Sequence, residues 1–329
     1  MSLFTRRTFI ALAATLAVSS AFPVSANTPD WPTAPIRFIV PSSAGGGADT
    51  VARLLAQHVG ESLKQSIIVE NRPGGSGVIG SNALLSAPAD GYTFLLGFTT
   101  MSQLPATTST KLPYDPKADF IPVSLVARST NVLMSSRSNI DADSVDSLVS
   151  ALKADPEKYS YGSYGNGSTG HFLGAQFNEV TNTDAQHVPY KGAAPMMVDL
   201  LGGVVSFAFP DIGSALPHLE SDRVRALAVT GEKRMASLPD IPTMQELGYS
   251  GFNLGAWFGL FAAKGVPDAI VQTMAKEVAD AIATPEVNSK LTGMNLDPVG
   301  SNSEFFTEFY HRDLQLWADL ADKADIRTD

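Results

Sequence analysis

Cysteine is absent from the 329 residues, which excludes thiolate catalysis, Cys-ligated zinc and disulfide scaffolds. Histidine is scarce: five scattered residues leave little material for a His-rich metal site. Positive charge is also in deficit, with 23 basic against 33 acidic residues and a formal charge of -10. A general nucleic-acid binder needs a basic face, so that class of partner is excluded. The chain is 44% hydrophobic and 17% charged, and its 27 Gly and 21 Pro follow no period. That composition describes a globular chain, neither disordered nor collagen-like. Its length fits two modest domains better than one.

Before Asp30 the only charges are Arg6 and Arg7. An apolar stretch, Phe9 to Val18, follows them, and Val24-Ser25-Ala26 supplies the small residues a signal peptidase reads. Residues 1–26 are therefore expected to be a signal peptide cleaved before Asn27, with the mature protein in the periplasm. Pro23 and several Ser and Thr make a permanent anchor the weaker reading. Thr5-Arg6-Arg7-Thr8-Phe9 resembles a twin-arginine signal, but paired Arg also occurs in Sec signals, so both routes stay open.

The mature chain alternates short apolar runs with helical patterns. Ile36–Val40 reads as a strand stopped by Pro41, and a Gly/Ser loop at 41–49 leads into a helix bearing Val51, Leu54, Leu55, Val59 and Leu63 on one face. Asp49 stands where an N-cap is expected. Strands follow at Ile67–Val69 and Phe94–Leu96, then at 123–126 and 132–134. A second set comprises a helix at 144–154, a strand at 160–163, a Gly-rich loop at 162–170, a helix at 171–180 and strands at 186–188, 204–209 and 224–229. The run 256–261 precedes three amphipathic helices. Strand–helix alternation with short connections predicts an α/β fold with parallel or mixed sheets.

Catalytic signatures fail one by one. Gly75-Ser76-Gly77-Val78-Ile79-Gly80 spells a dinucleotide motif, but Asn71–Gly74 separates it from its strand and no acid stands at the ribose position. Asn166 occupies the first glycine position of a nucleophile elbow around Ser168. Ser168 and His171 lie three residues apart, a spacing that also suits a helix N-cap. The remaining histidines have no acidic or His partner at ligand spacing. No catalytic residue, metal or cofactor is expected.

Two loops are unusual. Those at 41–49 and 162–170 each join a strand to a helix, so both present free backbone N–H groups beyond a sheet edge. Helix N-termini of this kind receive carboxylates and phosphates, and open α/β sheets bind ligands at that end of their strands. Two such edges facing each other would make a cleft for a small anion.

Several motifs, taken in order, resemble the tripartite tricarboxylate transporter substrate-binding family, also called the Bug receptors. They are Trp31-Pro32 with Pro35-Ile36 and Val40-Pro41; Ala44–Asp49 with Ala52-Arg53; Val69-Glu70-Asn71-Arg72-Pro73-Gly74 with Asp90-Gly91-Tyr92-Thr93; Gly165-Asn166-Gly167-Ser168; and Val188-Pro189-Tyr190-Lys191-Gly192. The resemblance implies a two-domain periplasmic-binding-protein fold of type II with a hinge and a ligand cleft between domains. It implies a monomer that captures a small organic carboxylate for membrane permease subunits, with no catalysis. The ligand contacts it implies are Ser42, Ser43, Ala44, Gly45, Gly46 and Asp49 in the first loop, and Thr99 and Thr100 after the third strand. On the other side they are Ser163, Asn166, Gly167, Ser168, Thr169 and His171, then Tyr190 and Lys191.

The sequence departs from the family at Ser42, where an aromatic residue is common, and at Phe209-Pro210-Asp211. Asp211 either orients an amine or hydroxyl of the ligand or caps the helix at 212–219. The expected domains are 27–125 plus 255–329, and 126–254, with hinge strands near 123–134 and 250–262. An exported α/β hydrolase and a ligand-sensing subunit of a signalling system remain the alternatives.

Overall fold

The computed structural model describes residues 31–235 and 237–328; the expected signal peptide and its cleavage point lie outside the described residues. Among the described residues eleven strands run in chain order. The first four are β1 (Ile36–Val40), β2 (Ile67–Asn71), β3 (Thr93–Phe98) and β4 (Phe120–Ser129). Then come β5 (Val132–Ser136), β6 (Ser160–Ser163), β7 (Gln186–Pro189), β8 (Phe207–Ala208) and β9 (Val224–Val229). Last are β10 (Trp257–Ala263) and β11 (Leu296–Pro298). They form two mixed sheets, a six-stranded one ordered β11-β4-β10-β3-β1-β2 and a five-stranded one ordered β7-β6-β8-β5-β9.

In the first sheet β1 lies parallel to β2 and β3, whereas β10 is antiparallel to β3 and β4. In the second, β6 is parallel to β7 and β8, and β5 is antiparallel to β8 and β9. Ile36, Phe38, Ile39 and Val40 of β1 are buried because the strand lies inside the sheet, between β2 and β3. β2 is an edge strand and only half-buried. The chain crosses between sheets twice, from β4 to β5 and from β9 to β10. At the crossing the Asn131 N–H donates to Thr230 Oγ1 at 3.0 Å, and the Thr230 N–H donates to the Asn131 carbonyl at 2.9 Å.

Helix Ser303–Lys323, 21 residues long, spans about 31 Å and serves both halves. Phe306 and Tyr310 pack with Ile39, Leu95 and Phe261 under the first sheet. Trp317, Leu320 and Ala321 pack with Phe172, Phe177 and Phe207 under the second. The residues from Pro32 onward accordingly cluster as one unit.

Two expectations need correction, and one helix was not foreseen. The helix that opens the first loop spans Gly47–Leu63, and its N-cap is Gly46, with no side-chain bond; Asp49 is a first-turn residue inside it. The strand expected at 204–209 pairs only at Phe207–Ala208, because Val204 is still completing the end of helix Ala193–Gly202, its N–H returning to the Asp199 carbonyl. Helix Thr100–Thr107 had no sequence signal, since it is eight residues long with Pro105 inside. Pro105 cannot donate to the Met101 carbonyl; the Tyr310 hydroxyl approaches that oxygen at 3.5 Å instead.

Candidate functional site

A cavity of about 640 Å³ opens between the two sheets. From the first side it is lined by Ser76, Phe98, Thr99, Thr100, Gln103, Leu104, Thr107 and Ala256–Phe258. From the second it is lined by Tyr164–Thr169 and Asp211. The chain builds it simply: β3 ends at Phe98 and helix Thr100–Thr107 begins two residues later, so the free N–H groups of its first turn lie at the carboxyl end of a strand. Thr99 is buried, and its Oγ1 accepts the Trp257 N–H at 2.8 Å. Thr100 also lines the cavity, while its Oγ1 is buried away from it with no hydrogen-bond partner. Across the gap, helix Thr169–Thr181 presents the second N-terminus. The Gln103 Nε2 donates to Thr169 Oγ1 at 2.9 Å, which joins the two walls through a buried bond.

Among the lining residues the only formally charged side chain is Asp211. Its carboxylate accepts the Ser214 N–H at 3.0 Å and the Ser214 hydroxyl at 2.8 Å, so it caps helix Ile212–Ala215. The Tyr164 hydroxyl accepts from Asn131 Nδ2 at 3.3 Å, and burial pushes it up to about 12, so it is a neutral phenol. Trp257 is fixed from behind: its Nε1–H donates to Asp313 Oδ2 at 2.8 Å. Burial pushes the Asp313 carboxyl up to about 6. With no cation on its walls, the cavity can meet an anion only through backbone N–H groups, hydroxyls and helix dipoles.

Of the residues expected from the sequence, Thr99, Thr100, Asn166, Gly167, Ser168, Thr169 and Asp211 come together on this lining. The first loop borders it: a Cβ on Gly47 would lie 3.9 Å from the Phe258 ring. Ser43, Ala44, Gly45 and Gly46 are exposed, and Ser42 receives Asn71 Nδ2 on its carbonyl at 3.1 Å. Asp49 turns inward, accepting the Gly45 N–H at 2.8 Å and the Arg53 Nε–H at 3.0 Å. The Arg53 bond holds its carboxyl down at about 2. The left-handed residue of the loop is Gly45, at φ +83, whereas Gly46 is extended at φ -80.

The second loop is supported from beneath. Ser168 donates to the Gly165 carbonyl at 2.6 Å and accepts the His171 N–H at 3.4 Å, so its hydroxyl is committed to the loop and the N-cap. The His171 Nδ1 accepts the Gly167 N–H at 3.2 Å. The Ser163 Oγ lies 2.7 Å from His187 Nε2, a contact that resembles a nucleophile–base pair. Ser163 is fully buried, however, and its hydroxyl donates to the Gly165 carbonyl. The Tyr190 hydroxyl donates to Asp199 Oδ2 at 2.7 Å, and Lys191 is exposed off the lining. His171 and His187 stack with centroids 3.7 Å apart, a pairing that fifteen intervening residues conceal in the sequence. Gln103, Tyr164, Trp257 and Phe258 also escaped the sequence reading, because nothing local marks a side chain that faces the opposite wall.

A groove of about 700 Å³ beside the second sheet includes Arg137, Asp146, Glu220 and Asp222 along with the Arg225–Asp143 ion pair. It gathers no helix N-terminus from the other half. Among the described residues no group of three His, Asp or Glu could hold a metal, and no helix is long and apolar enough to cross a membrane.

Residues 51–326 match the profile of the tripartite tricarboxylate transporter family receptor. BugT of Bordetella pertussis is 35% identical over 302 residues, covering 91% of each chain. The structure of Rpa4515 of R. palustris with adipate aligns at a TM-score of 0.74 and 34% identity, covering 91% of this chain and 99% of that one. MatC of Rhodopseudomonas palustris with bound malate aligns at 0.69 and 28% identity, over 88% and 99%. The two-sheet α/β architecture is that of periplasmic binding proteins, and the chain belongs to the tripartite tricarboxylate transporter receptor family.

Proposed function

We propose that this protein is an exported solute receptor that captures a small organic carboxylate between its two sheets and delivers it, chemically unchanged, to membrane permease subunits. The observation that carries the reading is the cavity itself. Two helix N-termini, at Thr100 and Thr169, converge on it, and its lining carries no cationic side chain. Such a lining suits a carboxylate held by oriented donors. The adipate and malate bound by two relatives belong to that chemical class. Ligand release then needs no salt bridge to break.

In this reading the lobes are 27–125 plus 255–329, and 126–254, and they close about the strands near 123–134 and 250–262. The shared helix Ser303–Lys323 moves with that closure. The receptor acts as a monomer in the periplasm after losing residues 1–26. Neither serine near a histidine is placed for nucleophilic attack, since both hydroxyls are spent within the loop. Calorimetric titration of the mature protein with adipate and with malate, followed by mass analysis of the recovered acids, tests the proposal. Saturable binding with unaltered acid is the expected result. Turnover, or no heat with either acid, would overturn it.

A further inference from the structure

The segment after helix Ser303–Lys323 runs to the cavity. Its path is fixed: the Ile326 N–H donates to the Ala321 carbonyl at 2.9 Å, and Arg327 Nη1 donates to the same oxygen at 3.2 Å. Ile326 is buried in the core of the second sheet. The Thr328 N–H then donates to the Thr107 carbonyl at 3.1 Å, and the two threonine hydroxyls lie 3.2 Å apart. Thr107 is the last residue of the helix that forms the first wall. Thr328 also reaches the second wall: a Cβ placed on Gly167 would stand only 2.5 Å from Thr328 Cγ2. One exposed side chain on the cavity lining therefore touches both walls.

The position along the wall gives that contact a meaning. The helix N-terminus stands at one end of Thr100–Thr107, and Thr328 stands at the other. Seven helical steps separate them, about 10 Å. A carboxylate seated at the Thr100 end directs the rest of its ligand along Gln103 and Leu104 toward Thr328.

We infer that Thr328 is a specificity-determining residue that sets the length of carboxylate the cleft admits. The inference rests on the carboxylate reading above. A bulkier residue at 328 shortens the space, and a smaller one lengthens it. A short acid does not reach the contact and is indifferent to both changes.

The test compares adipate, a six-carbon diacid, with malate, a four-carbon one, by calorimetry on the full mature chain. Thr328→Trp is expected to weaken adipate relative to malate by about tenfold. Thr328→Ala, which removes the methyl that touches Gly167, is expected to shift the ratio the other way. Melting curves confirm that each variant folds; because residue 328 is exposed, Thr328→Ala serves alone if Thr328→Trp does not. An unchanged adipate-to-malate ratio, with wild-type protein binding adipate, would overturn the inference and leave the carboxylate reading standing. A wild-type protein that binds neither acid would overturn both.

Discussion

Acid should weaken the fold through the stacked histidines, by an amount that follows from their surroundings. The His171 Nδ1 accepts the Gly167 N–H, so its proton sits on Nε2. Ser163 donates to Gly165, so His187 donates its Nε2–H to Ser163. The His171 ring is thus held neutral, and Tyr161 stacks on His187 at 4.9 Å. Burial lowers both pKa values to about 4, and for His171 the neighbouring His187 adds to the effect. An unfolded histidine titrates near 6.5, so as pH falls the unfolded chain takes up protons first. Stability is then complete above about 6.5 and declines toward 4. At pH 5 that linkage amounts to about 2 kcal/mol per ring, and partial solvent contact reduces it to roughly 1.

Asp313 opposes this trend. Its raised pKa means that stability is regained as pH falls through about 6. The raw pH slope therefore mixes signs, and the informative quantity is a difference. His187→Phe keeps the stack and removes one titrating group. Urea unfolding at pH 7 and pH 5 should show this variant losing about 1 kcal/mol less than wild type over that interval. Identical losses in the two proteins would refute the argument, whatever the baseline cost of the missing Ser163 contact.

Gln103→Ala removes the buried bond between the walls. It should weaken carboxylate binding by about fivefold to tenfold and raise the radius of gyration of the liganded protein in small-angle scattering; unchanged affinity would show that Thr169 does not couple the walls. Gly45→Ala forces a side chain into the left-handed region at φ +83 and should cost about 1 kcal/mol in chemical unfolding. Ser43→Ala, at an exposed hydroxyl, should cost under about 0.5 kcal/mol in the same assay.

The elements legible in the sequence were those with local punctuation. β1 was readable to the residue because Pro41 ends it, and β9 because turn residues bound its largely apolar run. The Ser168 N-cap followed from a spacing of three, since capping is local chemistry. Helix Thr100–Thr107 was not legible, because its residues favour other conformations and its stability comes from packing against helix Ser303–Lys323 some two hundred residues away. The same distance hides the Gln103–Thr169 bond, the His171–His187 stack and the approach of Thr328. The first loop shows the opposite case: its glycines were conspicuous, but which one needs a left-handed backbone depended on the carboxylate of Asp49 drawing in the Gly45 N–H.

The place of β10 has a consequence for how the chain reaches its native state. It lies between β3 and β4, with Phe258 opposite Phe98 on one side and Ala127 on the other. The middle of the first sheet is therefore supplied by the last quarter of the polypeptide. Until Trp257–Ala263 has emerged, β3 and β4 cannot pair with each other in this arrangement and both keep open edges. Such distant pairing makes folding slow and late. A nascent or truncated chain ending before Trp257 is a sticky, incomplete sheet rather than a small stable domain. Fragments of that length should need a chaperone or precipitate, and only the full-length polypeptide should refold spontaneously from denaturant.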